Sequence, residues 1–100
     1  MSITAVESAD KRQILLKVTG RFDFSSHYEF STAYKQYPKG TRQFVVDLAD
    51  TEYMDSSSMG MLLQLKEHAS GETPVSLINA NDAVREILQI ANFDKLFSIT

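Results

Sequence analysis

The segment Tyr53-Met54-Asp55-Ser56-Ser57-Ser58-Met59-Gly60-Met61 places three adjacent hydroxyls directly after a carboxylate. Such a run can cap a helix, accept a phosphoryl group, or lend a nucleophile and an acid to a hydrolytic triad. An Asp-Ser cluster before an apolar periodic run is an ordinary helix cap. Capping and modification are compatible, because one serine can cap while another is modified. A helix N-terminus also exposes N–H groups and the positive end of its dipole, so a phosphate on Ser56 would sit beside donors. The triad needs a histidine, and only His27 and His68 are present. No Gly-x-Ser-x-Gly elbow surrounds the serines, and His68 lies about three helical turns beyond them. His27 falls in the first turn of an expected helix, where solvent exposure is the ordinary state. The two histidines stand too far apart in sequence to form a metal-ligand pattern, and the absence of cysteine excludes a thiolate site, a Cys nucleophile and a disulfide switch. No catalytic residue, metal or cofactor is therefore assigned.

The elements around the serines follow one another closely. Ile14, Leu16 and Val18 recur at a period of two and mark a strand ending at Thr19-Gly20, and Ile3 to Val6 can pair with it across a polar turn. A helix follows Asp23, with Ser26 and Glu29 spaced as a capping box and Phe30, Ala33, Tyr34 and Tyr37 on one face. Pro38 and Gly40 end it. Phe44-Val45-Val46-Asp47-Leu48 reads as a strand buried on both faces, and 49–55 as a loop into a second helix. In that helix Met59, Leu62, Leu63 and Lys66 share a stripe, broadened by Leu65 and Ala69 and stopped at Ser70-Gly71. Pro74 to Ile78 is a further strand. Asn79 or Asn81 caps a third helix with Val84, Ile87, Leu88 and Ala91 on its apolar face, Asn92-Phe93 is its exit, and Leu96 to Ile99 can form a last strand. Strands separated by helices favour parallel neighbours. The expected fold class is α/β, with one mixed sheet of about four to five strands and about three helices packed mainly on one face.

The totals agree with one compact domain over 1–100. The chain is 43% hydrophobic and 23% charged, with a net charge of −3 and scattered Lys and Arg, so no basic face for nucleic acid is expected. No signal peptide or membrane-length apolar run is visible, and the expected location is cytoplasmic. The expected free state is a monomer, and an exposed Phe22-Phe24 or Phe93-Phe97 patch would mark a contact surface.

Met54-Asp55-Ser56-Ser57-Ser58-Met59-Gly60 resembles the Met-Asp-Ser-Ser-Gly-Leu-Gly motif of bacterial anti-sigma-factor antagonists, which are STAS domains. Val18-Thr19-Gly20-Arg21-Phe22-Asp23 resembles that family's Leu-Thr-Gly-Glu-Leu-Asp segment. Val45 to Leu48 resembles the strand before the serine motif, and 83–97 the late helix and its closing turn. The resemblance implies a STAS-like fold and a partner switch without chemistry of its own. Ser56 matches the family's regulatory phosphosite, and Ser57, the second choice, matches its neighbour. It implies a partner surface at Asp23, Asp55, Ser56, Ser57, Ser58 and Met59. Ser58 replaces a family glycine, adding a hydroxyl and stiffening the turn. The implied partners are an anti-sigma factor with an ATP-binding serine-kinase fold and a PP2C-type phosphatase. The alternative within the family is an unphosphorylated subunit of a transporter or sensory complex.

Overall fold

A computed structural model describes residues 2–69, 71 and 74–100. The strands are β1 (Ser2–Glu7), β2 (Gln13–Phe22), β3 (Gln43–Asp47), β4 (Thr51–Met54), β5 (Ser76–Ile78) and β6 (Ser98–Ile99). The helices are α1 (His27–Lys35), α2 (Ser56–His68) and α3 (Asp82–Ile90), with short 3-10 turns at Phe24–Ser26 and Phe93–Lys95. The sheet runs β1-β2-β3-β5-β6, antiparallel between β1 and β2 and parallel thereafter, with β4 pairing parallel to β2. This is the mixed α/β architecture that the patterning predicts, with one strand more than expected.

Alternation sets the core. Ile14, Leu16 and Val18 of β2, Phe44 and Val46 of β3 and Leu77 of β5 point to one face and are buried. Phe30 and Tyr34 of α1, Met61, Leu62 and Leu65 of α2, and Val84 and Leu88 of α3 close over them. Each such side chain contributes roughly 1.5–3 kcal/mol by leaving water. The opposite face carries Leu15, Lys17, Val45 and Asp47, which remain partly or wholly exposed. The expectation that β3 is buried on both faces is therefore corrected. Helices cover only one side of the sheet, and β3 alternates buried with half-buried positions.

The stretch expected as a loop before α2 contains β4. Thr51-Glu52-Tyr53-Met54 has no apolar alternation, and only its two ends are buried. It is a strand because β2 is long enough to hold two partners in succession. Gln13 to Lys17 pair with β3, and Gly20 to Phe22 pair with β4 after a bulge between Gly20 and Arg21. Gly20 takes φ +89°, a conformation that glycine adopts without a Cβ penalty. The Thr51 hydroxyl, buried, donates to the Val18 carbonyl at 2.9 Å and fixes the crossing point.

Three smaller expectations change. The buried stripe of α2 is Ser58, Met61, Leu62, Leu65 and Ala69, one position round from the one predicted, and Leu63 is exposed. The cause is Ser58, a polar residue that its hydrogen bonds carry into the core. Ser26 does not cap α1 and Glu29 does not complete a box there. Glu29 instead accepts the Ile3 N–H at 3.0 Å on the edge strand β1. Of the aromatic patches, Phe22, Phe93 and Phe97 are buried and Phe24 alone is open. Asn81 is the cap of α3, accepting the Val84 N–H at 2.8 Å. The last helical residue of α2 is His68; Ser70, part of the predicted stop, lies outside the described residues. Among the described residues no helix is long and apolar enough to cross a membrane.

Leu62 is fully buried between α2 and the sheet. Leu62→Ala is expected to lower stability by about 2–5 kcal/mol in urea unfolding, whereas Leu63→Ala, on the exposed side, should stay within about 0.5 kcal/mol. Equal losses would place the helix in the register that the sequence pattern suggested.

Candidate functional site

Phe22 and Met54 are paired in register at the carboxyl ends of β2 and β4. Both side chains are buried, so the residue after each must leave the sheet at the same edge. Those residues are Asp23 and Asp55. Their backbones are nearly superimposable in conformation, with φ −136° and ψ −170° at Asp23 and φ −139° and ψ −172° at Asp55. Each builds a capping box on the pattern Asp-x-Ser-Ser. In Asp55-Ser56-Ser57-Ser58, Asp55 Oδ1 accepts the N–H of Ser57 at 3.0 Å, the N–H of Ser58 at 3.2 Å and the Ser57 hydroxyl at 2.5 Å. In return the Ser58 hydroxyl accepts the Asp55 N–H at 3.0 Å and donates to the Asp55 carbonyl at 2.8 Å. In Asp23-Phe24-Ser25-Ser26, Asp23 Oδ1 accepts the Ser25 N–H at 3.0 Å and the Ser25 hydroxyl at 2.5 Å, and the Asp23 N–H donates to Ser26 Oγ at 3.4 Å.

The box divides the three serines. Ser58 is fully buried and tied back to Asp55. Its hydroxyl is a structural part of the turn, so the reading of Ser58 as one more available hydroxyl is corrected. The turn that the family glycine would make is held here by the two Ser58 hydrogen bonds. Ser57 is half-buried with its hydroxyl committed to Asp55. Ser56 is exposed, and among the described residues its hydroxyl makes no hydrogen bond. The donors expected beside a phosphate are also accounted for, since the N–H groups of Ser57 and Ser58 already point at Asp55. Met59 is half-buried and packs against the core. Thus Asp23, Asp55, Ser56, Ser57, Ser58 and Met59 gather at one end of β2 and β4, but Ser58, expected on the partner surface, is buried because its hydroxyl is tied to the Asp55 backbone.

Sequence reasoning missed the second box and the groups beside it. The repeated Asp-x-Ser-Ser pattern at 23–26 and 55–58 was the available signal. Phe24 takes the place that Ser56 has in the other box; it is 70% exposed, and its ring stacks on His27 at 5.6 Å. Arg21 is paired in register with Tyr53, lays its guanidinium 3.9 Å over that ring, and reaches Asp23 Oδ2 at 3.4 Å.

Both carboxyls are held below the ordinary carboxylate range. At Asp55 the Ser57 hydroxyl is the largest cause; desolvation opposes it, the N–H groups of Ser58 and Ser57 assist, and the Asp23 charge works weakly the other way. At Asp23 the Ser25 hydroxyl leads, opposed by desolvation and helped by the Ser25 N–H and by Arg21. Of the histidines, His27 adjoins the second box, half-buried with its ring against Phe24, and His68 lies away from it. His68 ends α2, with Nε2 2.6 Å from the Tyr37 carbonyl and its ring edge-on to Tyr34. Among the described residues no cluster of His, Asp and Glu has the makings of a metal site.

Two measurements check this construction. Ser58→Ala leaves the Asp55 N–H without its acceptor and should cost about 1–2 kcal/mol, while Ser56→Ala should cost less than about 0.5 kcal/mol; similar losses would contradict the division. The Asp55 carboxyl is lowered by folding, so its contribution is present above the unfolded carboxylate value and is lost as pH falls through the folded one. Asn caps as well as Asp, so Asp55→Asn should flatten the fall of Tm below about pH 4. An unchanged slope would show that the Asp55 charge takes no part in stability.

The fold has counterparts. A family model described as "Mlab, STAS domain" matches residues 5–98. A STAS-domain containing protein of Pseudomonas aeruginosa (strain UCBPP-PA14) is 46% identical over 101 residues, covering 100% of both chains. Among solved structures, a Thermotoga maritima protein described as a candidate anti-sigma factor antagonist shares the fold with a TM-score of 0.80 at 18% identity, over 97% of this chain and 84% of that one. The antagonist SpoIIAA in its unphosphorylated form gives a TM-score of 0.64 at 19% identity, over 89% and 83%. Bacillus SpoIIAA in its phosphorylated form gives 0.62 at 17%, over 99% and 91%. With the matched family model spanning nearly all of its length and a relative 46% identical over the whole chain, this chain is a member of the STAS-domain family.

Proposed function

We propose that this chain is a phosphorylation-controlled partner-switching protein of the anti-sigma-factor-antagonist type. With Ser56 unmodified it binds an anti-sigma factor with an ATP-binding serine-kinase fold and frees that factor's target. Phosphorylation of Ser56 by such a kinase releases the partner, and a PP2C-type phosphatase restores binding. The chain acts in the cytoplasm as one domain, monomeric when free, by binding and not by chemistry of its own.

The observation that carries this reading is the division of the serines. A kinase needs a hydroxyl that is accessible and free to attack. Ser58 is buried and Ser57 is committed to Asp55, whereas Ser56 is exposed and its hydroxyl makes no hydrogen bond among the described residues. Ser56 is also outside the hydrogen bonds of the box, so a phosphate there can be added without dismantling the start of α2. It would bring about −1.5 to −2 charges to a surface that already holds Asp55 and Asp23. Seating that phosphate in an interface requires its desolvation against these carboxylates. A cost of about 3 kcal/mol would lower affinity roughly a hundredfold. The exposed Phe24 beside this edge supplies an aromatic contact of the kind that anchors protein interfaces.

Ser56→Ala should hold the binding state and Ser56→Asp should weaken it, measured by calorimetry against the ATP-binding partner captured with Ser56→Ala from the native host. Phosphosite mapping of the native protein should find one phosphatase-sensitive group, on Ser56. Unchanged affinity in both variants sinks the switch. A chain that carries no phosphate under any growth condition would instead be a passive STAS subunit of a transporter or sensory assembly.

A further inference from the structure

We propose that Arg21 is the receiving cation for a phosphate on Ser56, exchanging its pairing with Asp23 for the phosphoryl oxygens. This rests on Ser56 being the modified residue, and it concerns how the modified surface rearranges.

Arg21 is held beside the site without being used up by it. Its guanidinium lies flat over the Tyr53 ring at 3.9 Å, which orients the plane, and its side chain is 61% exposed. Its ion pair with Asp23 is long, at 3.4 Å, and made through Nε alone. The forked Nη donors, which suit the bidentate recognition of phosphate, make no hydrogen bond among the described residues. The pair also uses Asp23 Oδ2, while Oδ1 holds the capping box, so Arg21 can leave Asp23 without opening the turn.

Reach is set by the sheet. Arg21 and Tyr53 are register partners on neighbouring strands, and Ser56 stands three residues beyond Tyr53. Strand spacing and rise, continued past the end of β4 at Met54, give a separation of roughly 11 Å between the Cα atoms of Arg21 and Ser56. Extended arginine and phosphoserine side chains together span that distance. The other charges of the two boxes, Asp23 and Asp55, are both negative, so a dianionic phosphate competes with one partly buried carboxylate for the one cation that, among the described residues, touches either of them. The family segment that 18–23 resembles has Glu where this chain has Arg21, so the exchange is a property of this sequence and not of the fold. Its outcome is a surface altered in two ways at once: a phosphate is added, and Asp23 loses its counter-ion.

The test uses the full chain with phosphoserine installed at position 56 by genetic-code expansion, which requires neither kinase nor partner. Phosphorus NMR titration should give a second phosphate pKa about half a unit higher in Arg21→Gln than in the wild type. In the wild type, the Arg21 Nε–H resonance should move on phosphorylation. Equal midpoints in two folded proteins, or an Nε–H signal that does not respond, would overturn the exchange. A phosphorylated chain that still binds its partner would defeat the proposed switch and leave the Arg21 result standing, so the two failures are separable.

Discussion

Everything at the serine edge depends on the parallel pairing of the carboxyl half of β2 with β4. That pairing brings Phe22 and Met54 side by side, and the two aspartates emerge together because both strands end there. It is a demanding arrangement. β2 must first satisfy β3 and then change partners, which the bulge at Gly20 and Arg21 allows. The buried Thr51 hydroxyl on the Val18 carbonyl and the Gly20 N–H on the Asp50 carbonyl hold the crossing point from both sides. The Asn81 side chain, donating to the Thr51 carbonyl at 3.2 Å, ties the start of α3 to the same place. A helix on one side and a strand on the other thus stiffen the edge that a partner would meet.

From that pairing the two capping boxes follow as a structural repeat. Each has an extended aspartate, one exposed residue, one serine whose hydroxyl stays on the carboxylate, and one buried serine that returns to the backbone. The repeat explains why a serine can stand at position 58. In the buried slot a hydroxyl has two backbone partners and costs little to bury. The repeat also isolates the second position, where the chain carries Phe24 in one box and Ser56 in the other. One edge therefore presents an exposed aromatic ring and an exposed hydroxyl from the same local geometry.

Charge at this edge is balanced on few groups. Asp55 turns its charge to its own helix, through hydrogen bonds from Ser57 and Ser58, which hold its carboxyl below the ordinary range. Asp23 does the same for the shorter turn and has one oxygen left for Arg21. Arg21 in turn is steadied by Tyr53.

Much of this was legible in the sequence. The period-two run at 14–18, and helical spacing at 30–37 and 84–91, report local side-chain direction, and burial follows direction when helices cover one face of a sheet. The Asp-Ser-Ser-Ser segment was legible as a cap for the same local reason. What the sequence could not settle were the features that exist only between distant segments. β4 has no alternation because its ends are buried by β2 and its middle faces outward, and α2 is rotated because Ser58 is drawn inward by hydrogen bonds to Asp55. The difference in availability between Ser56, Ser57 and Ser58 could not be read from three identical letters. Patterns of residue type encode local direction, which the chain determines by itself, while strand partners, buried hydroxyls and the neighbours of a charge are set only when segments far apart in sequence come into contact.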